Sequence, residues 1–360
     1  MLSRPRLTID LDAIAANYRL LQETVSPAEC AAVIKADAYG MGAEAIGRHL
    51  LFKGCRAFFF AHPGEAAPLA AEIAEAGGRV FILNGLGGYT VRDFTDSGLI
   101  PVLNSLDEAW LWMNEAGDKP AALHLDTGMN RLGLPAIDDA AVQALQQQGL
   151  NLVHIMSHFA CSEEPANPRN REQIERFTAR YPAFGIAERS ISNSAGCFLG
   201  SDAHFEMVRP GLALYGPQPS LGNRADLKIP YLFEAPVLQV RRVQAGETVG
   251  YGATHVFKTD GWSATIGAGY ADGVPRCLSN RTHVFVGGKT APIIGRVSMD
   301  STVIDLTLHE NPQSLAHARA QIYGPDIPVE TQAEAAGLSP YELLTRIGGR
   351  TERAFKGRLD

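Results

Sequence analysis

Val33-Ile34-Lys35-Ala36-Asp37-Ala38-Tyr39-Gly40 sets one lysine at the end of a short apolar run, followed by an aromatic residue and a glycine. Apolar runs of this length bounded by glycine read as buried strands. A lysine leaving such a strand loses hydration, which disfavours its ammonium form and leaves a nucleophilic amine. That is the chemistry of a Schiff-base lysine. On Lys35 alone, a strand-end lysine that snorkels to water is the better reading. Two other constellations invite chemistry. His154 and His158 are four residues apart, a metal-ligand spacing on a helix. On a strand they share a face, but no Glu or Cys cluster joins them, so no metal site is expected. Gly85-Leu86-Gly87-Gly88 looks weakly like a nucleotide loop, but it has neither the full glycine register nor a following helix with an acidic partner.

The elements that must position these residues repeat as strand then helix. Strand-like apolar runs fall at 30–35, 57–61, 79–83, 100–103, 121–125, 152–157, 190–193 and 205–215. Helical patterns lie between several of them, at 65–76, from the capping box Ser105-Leu106-Asp107-Glu108 toward Glu115, and at 170–181. The expected fold class is α/β, with an N-terminal (β/α)8 TIM-type barrel. Lys35, His62, Asn84, Asn104, Asp126, His158, Asn193 and Arg209 all fall at the carboxyl ends of these runs, the face that carries chemistry in such a barrel. After about residue 228 the pattern changes. Short β-branched or aromatic runs at 235–243, 255–257, 262–266, 282–286 and 301–306 alternate with Gly-rich turns, and helix returns only at 339–346. The expected division is a barrel over 1–228 and a mostly-β domain over 229–360. The run 6–11 precedes a helix from Asp12 to about Glu23, and its pairing partner is left open between the two domains.

Composition bounds the function class. The 360 residues are 46% hydrophobic and 20% charged, as in a globular protein with an ample core. A net charge of −7 argues against nucleic acid or an anionic membrane surface as partner. No apolar run is long enough to span a bilayer, and the N-terminus lacks an apolar leader. Cys30, Cys55, Cys161, Cys197 and Cys277 are odd in number and unpaired in spacing. They read as reduced thiols, which gives a cytoplasmic expectation.

Val33–Gly40, Asp126-Thr127-Gly128-Met129-Asn130-Arg131-Leu132-Gly133, Ser157-His158-Phe159, Ser192-Asn193-Ser194-Ala195, Met207-Val208-Arg209-Pro210-Gly211, Gly250-Tyr251-Gly252, Gly269-Tyr270-Ala271-Asp272-Gly273 and Arg296-Val297-Ser298-Met299-Asp300 resemble the alanine racemase family, in order and across both expected domains. The resemblance implies an enzyme that interconverts L- and D-alanine on pyridoxal 5'-phosphate. It also implies a homodimer with shared active sites and a supply of D-alanine for peptidoglycan or a catabolic role. Lys35 would hold the cofactor through its amine and act as base on one face. Tyr251, from the partner subunit, would serve the other face. A phenol titrates near pH ~10 and needs nearby cations to act as a base. His158 and Arg209 match residues linked to this tyrosine and to the cofactor ring. An arginine there cannot accept a proton, so the ring nitrogen would stay unprotonated and the carbanion short-lived. Tyr39, Ser194, Gly211 and Leu212 match the phosphate cradle, with Asn193 beside it as a cofactor contact or a helix cap. Arg131 and the backbone of Met299 match the substrate carboxylate site. Tyr270, Arg276 and Arg296 match the entry corridor, and Asp300 reads as structural.

Two positions depart from the family pattern. His124 stands where members often carry a lysine that orients the arginine, so Arg131 would be held differently. Gly349 stands where members often have a tyrosine that narrows the entrance, which implies better tolerance of serine. Other readings remain: a broader alanine/serine racemase, a Schiff-base aldolase without cofactor, a related barrel decarboxylase, and a non-enzymatic pyridoxal-phosphate carrier.

Overall fold

The computed structural model describes residues 4–218 and 226–357. These form two units. Among the described residues, one comprises Ile14–Ala38 and Ala43–Lys228; the other takes 4–13, the short segment Tyr39–Gly42, and 229–357.

The first unit is built on a parallel sheet. Its strands are Glu29–Cys30, Ala32–Val33, Ala57–Phe60, Arg79–Ile82, Ile100–Leu103, Ala121–His124, Leu152–Met156, Arg189–Ser190 and Met207–Val208. Each pairs in parallel with its neighbours. The sheet's two ends are pieces of one segment: Ala32 pairs with Phe58, Cys30 pairs with Val208, and only Ala31 lies between them. The arrangement is TIM-like. Sequence explains the short strands. Ala57-Phe58-Phe59-Phe60 is wholly buried, as expected of parallel strands covered on both faces. Between strands run Ala43–Phe52, Leu106–Ala116, Asp139–Gln147 and Pro168–Arg180.

Prolines set several differences from the sequence expectations. The segment 205–215 is a two-residue strand, Met207–Val208, followed by the turn Leu212–Tyr215, because Pro210 offers no N–H to continue the ladder. The helix at 65–76 is two pieces, Pro63–Ala66 and Ala70–Glu75, with Pro68 in the break. The capping box at Ser105 forms by half. The Ser105 hydroxyl accepts the Glu108 N–H at 3.2 Å. The Glu108 carboxylate instead accepts the N–H groups of Leu86 at 2.9 Å and Asn104 at 2.7 Å. An added Cβ on Gly85 would lie 2.4 Å from that carboxylate. Gly85 leaves the room that Glu108 occupies.

The second unit is an antiparallel barrel-like sheet of Arg6–Asp10, Tyr231–Val243, Gly261–Ile266, His283–Val286, Lys289–Ile294, Thr302–Asp305, Arg319–Tyr323 and Glu352–Lys356. It closes through the pairing of Gly261–Ile266 with Tyr231–Val243. Arg6–Asp10 belongs here, antiparallel to Tyr231–Val243 and parallel to Glu352–Lys356. Its alternate residues Leu7 and Ile9 are fully buried. Lys289–Ile294, Arg319–Tyr323 and Glu352–Lys356 are strands that sequence reading missed, since each opens on charged, partly exposed residues. The helix Val329–Ala336 was also missed. Among the described residues no helix is long and apolar enough to cross a membrane.

Candidate active site

The strand that leads to Lys35 ends at Val33, and Lys35 opens a tight turn. Ala36, Asp37, Ala38 and Tyr39 all have positive φ, between 51° and 57°, a left-handed conformation that disfavours residues with a Cβ. Local bonds hold it. The Ala38 N–H reaches the Ile34 carbonyl at 2.9 Å, and Asp37 accepts the Ala43 N–H at 2.7 Å. The Glu65 carboxylate accepts the N–H groups of Ala36 at 3.1 Å and Ala61 at 2.9 Å. Sequence reading missed Glu65; its place in the first turn after Pro63-Gly64 was the available signal. Lys35 is half-buried. Burial and then the Arg131 charge push its ammonium below the usual lysine range, with Glu65 opposing. Among the described residues no carboxylate lies within ion-pair distance of it.

Arg209 is buried at 3% exposure. It donates to the Ser190 hydroxyl and to the Ser157 carbonyl at 2.5 Å, and its fork lies 3.5 Å from His158 Nδ1. Burial pushes the guanidinium down to about 9, still charged at neutral pH. His158 is held well below the ordinary histidine range by burial, then by Arg209, Arg131, His124 and Lys35. These residues thus converge on one electropositive place. His124 is pushed down to about 3 by burial and by Arg209. Its Nδ1 lies 2.9 Å from Asn104 Oδ1. The Asn104 amide donates to the carbonyls of Leu83 and Val102, so Oδ1 is the acceptor and His124 carries its proton on Nδ1. Arg131 is exposed, in a loop whose N–H groups at Gly128, Met129 and Asn130 all bind the Asp126 carboxylate.

The Ser194 hydroxyl accepts the N–H groups of Gly211 at 2.9 Å and Ala213 at 3.1 Å. Its own proton is then free to donate. Among the described residues the Leu212 N–H has no hydrogen-bond partner. The Asn193 side-chain oxygen accepts the Gly196 N–H at 3.0 Å and the Ser162 hydroxyl at 2.8 Å, which ties down the turn. Unsatisfied donors at a turn beside a buried arginine and a deprotonation-prone lysine fit an anionic, carbonyl-bearing group. His154 does not pair with His158 at a metal; it bonds Glu188 and Ser190, and Ser190 in turn receives Arg209. Among the described residues no group of three or more His, Cys, Asp or Glu side chains could hold a metal ion.

The second unit carries the remaining predicted residues. Tyr39 packs on Tyr341 with ring centroids 5.8 Å apart. Tyr251 is 72% exposed in a turn between Gly250 and Gly252. The Arg296 guanidinium lies against that turn, 2.9 Å from where a Gly252 Cβ would stand. Tyr270 and Met299 are also exposed. Their loops are laced together: Tyr270 N–H to Ser298 O and Ala271 N–H to Met299 O, both at 3.0 Å. Gly269 is required there, because a Cβ would stand 2.4 Å from the Met299 carbonyl oxygen. Asp300 pairs with Arg350 at 2.7 Å, and Arg350 also bonds buried Asp272. Arg276 opens the turn Arg276–Leu278. A Cβ on Gly349 would meet no heavy atom within 4 Å.

Two family models divide the chain. "Alanine racemase, N-terminal domain" matches residues 9–219, and "Alanine racemase, C-terminal domain" matches 231–355. The chain is therefore a two-domain protein of the racemase class. An alanine racemase of Rhodospirillum rubrum is 41% identical, covering 98% of this chain and 96% of its own. Agrobacterium fabrum has a biosynthetic and a catabolic alanine racemase, each 40% identical, covering 97% of this chain and 93% and 91% of theirs. An alanine racemase of Bartonella henselae, solved with covalently bound pyridoxal phosphate, superposes with a TM-score of 0.93 at 37% identity, covering 98% of this chain and 100% of its own. The chain belongs to the alanine racemase family.

Proposed function

We propose that this chain interconverts L- and D-alanine on pyridoxal 5'-phosphate. It is a pyridoxal-phosphate-dependent isomerase. The observation that carries the proposal is the buried Arg209 fork 3.5 Å from His158 Nδ1, in a place that Arg131, His124 and Lys35 make electropositive, with no carboxylate among the described residues within ion-pair distance of the lysine amine. When bound, the cofactor supplies an electron sink that acidifies the substrate α-proton. The residues do the rest. Lys35 binds the cofactor and then moves the proton on one face. Tyr251 of the partner subunit moves it on the other. Arg131 and the Met299 backbone hold the substrate carboxylate, and Tyr270 lines the approach. Tyr39, Ser194, Gly211 and Leu212 hold the phosphate, with Asn193 fixing the turn that presents Ser194. Arg209 would meet the bound cofactor ring as a donor only, and His158 stays neutral beside it.

This reading takes the parallel unit as a closed (β/α)8 barrel of the TIM type. It makes the parallel unit, within 1–228, the cofactor domain, and 229–360 together with the strand Arg6–Asp10 the domain that lends Tyr251 to a second copy in a homodimer. Its setting is the cytoplasm and its product feeds peptidoglycan or is drawn off in catabolism. The open space at Gly349 supports a second reading with serine as an additional substrate.

The test is an absorbance spectrum of the purified protein, then L-alanine in deuterated water followed by chiral chromatography. A yellow protein that yields D-alanine deuterated at the α-carbon supports the proposal. A colourless protein that cannot be reconstituted with pyridoxal phosphate rejects it. A yellow protein inert toward alanine moves the assignment to another amino acid or to a carrier.

A further inference from the structure

A directional chain of hydrogen bonds runs through the parallel unit from Arg209 to the opposite ends of the strands. Arg209 Nη1 donates to Ser190 Oγ. Ser190 Oγ lies 2.7 Å from His154 Nε2, and His154 Nδ1 lies 2.7 Å from Glu188 Oε1. Arg79 Nη1 donates to Glu188 Oε2 at 2.6 Å, and Arg79 Nη2 to Glu29 at 2.7 Å. Arg209 follows the carboxyl end of its strand, whereas Glu29 and Arg79 begin theirs.

Donor and acceptor roles fix every proton. An ionised carboxylate only accepts, so His154 carries its hydrogen on Nδ1. The imidazole is neutral, since burial outweighs the pull of Glu188. Nε2 is therefore a lone pair, and it takes the Ser190 O–H. The serine lone pair is then left for Arg209. A protonated His154 would turn Nε2–H onto an oxygen already receiving the guanidinium, which two donors and a hydroxyl hydrogen cannot share without a further acceptor. His154 is fully buried against the rings of Phe59 and Phe81, which offer it no other polar partner. Among the described residues no carboxylate pairs directly with Arg209. Glu188 is the negative end that its charge meets, two neutral groups away.

We infer that His154 is a positioning residue: through the Ser190 hydroxyl, with Glu188 fixing its tautomer, it sets the orientation of the Arg209 fork. This rests on the reading that Arg209 faces the cofactor ring. A small rotation of that fork moves the donor at the ring nitrogen, and misplacement by about 1 Å can cost roughly 10²-fold in rate. Ser190 and Glu188 act in the same way, one and three hydrogen bonds from Arg209.

The experiment compares wild type with His154→Leu, His154→Gln and Ser190→Ala, all as holoenzyme and all checked for folding by circular dichroism. His154→Leu is expected to bind pyridoxal phosphate, to shift its visible absorbance band, and to lose roughly 10²-fold in kcat with KM little changed. His154→Gln, which keeps a donor toward Glu188 and an acceptor toward Ser190, restores most of that loss. Ser190→Ala reproduces the leucine variant. ¹⁵N spectra of histidine-labelled holoenzyme show His154 neutral and protonated on Nδ1. An Nε2-protonated or cationic His154 overturns the inference, as does a folded His154→Leu enzyme with wild-type kcat and absorbance. A wild type that binds no pyridoxal phosphate fails the functional reading instead, and the ¹⁵N spectrum still reports the relay.

Discussion

The Glu65 carboxylate accepts the Ala36 N–H one residue past Lys35, at 3.1 Å. It thereby pins the entrance to a left-handed turn of four non-glycine residues. Such a turn costs about 1–2 kcal/mol per residue. Ala36 is exposed, so Ala36→Gly removes strain without opening a cavity. After the entropy glycine costs, stability should rise by ~0.5–1 kcal/mol. Glu65→Ala should lower it by ~1–3 kcal/mol by orphaning two N–H groups. Urea midpoints check both signs; a glycine variant less stable than wild type would show the turn to be unstrained.

Lys35→Ala should abolish alanine racemisation in both directions and leave the protein colourless with pyridoxal phosphate. Chiral chromatography and an absorbance spectrum read the two effects. A yellow colour that borohydride bleaches while leaving the reduced label on the protein through dialysis would place the attachment elsewhere.

Tyr251→Phe should slow conversion of L- to D-alanine by about 10²-fold or more. Exchange of the D-alanine α-proton in deuterated water should be far less affected. Equal loss in both assays would sink the assignment of one base to each face.

His124, His154 and His158 are all held below their ordinary value. Their stabilising contribution is present above pH 6.5, the ordinary value, and falls as pH drops through it, because the unfolded chain takes up protons the folded one refuses. For His124 the loss continues down to about pH 3, at the folded value, with a limiting slope of about 1.4 kcal/mol per pH unit. Urea denaturation at about pH 5 and about pH 7 should show a smaller difference for His124→Asn than for wild type. Identical differences would mean that His124 is protonated in the fold.

Gly349→Tyr should fold normally, since nothing crowds the position. It should lower the kcat/KM for serine relative to alanine by about tenfold. An unchanged ratio would detach Gly349 from substrate choice.

The α/β organisation was legible from apolar runs such as 57–61, because a strand buried on both faces writes itself as uninterrupted hydrophobicity. The motif residues Lys35, Arg131, Ser194 and Arg209 were legible by type and order. What sequence did not disclose depends on pairs far apart in the chain. Glu65 looks like one more surface carboxylate in an Ala-rich stretch until its two N–H partners are seen. His154 drew notice only for its spacing from His158; its partners have no fixed spacing from it, Ser190 on the next strand and Glu188 just before that strand. The strand Glu352–Lys356 lies at the sheet edge and carries exposed charges, so periodicity could not announce it.

The strand Arg6–Asp10 lies between Tyr231–Val243 and Glu352–Lys356. A ribosome therefore makes the middle strand of this trio before either neighbour, and Glu352–Lys356 well after Tyr231–Val243. The whole parallel unit emerges while that strand waits unpaired. A gene cut at residue 228 would likewise yield two fragments that each lack part of one sheet: the amino-terminal piece carries a strand with neither neighbour, and the carboxyl-terminal piece keeps both neighbours with the gap between them. Supplying Arg6–Asp10 as a free peptide is thus a direct assay for whether the second unit assembles by complementation.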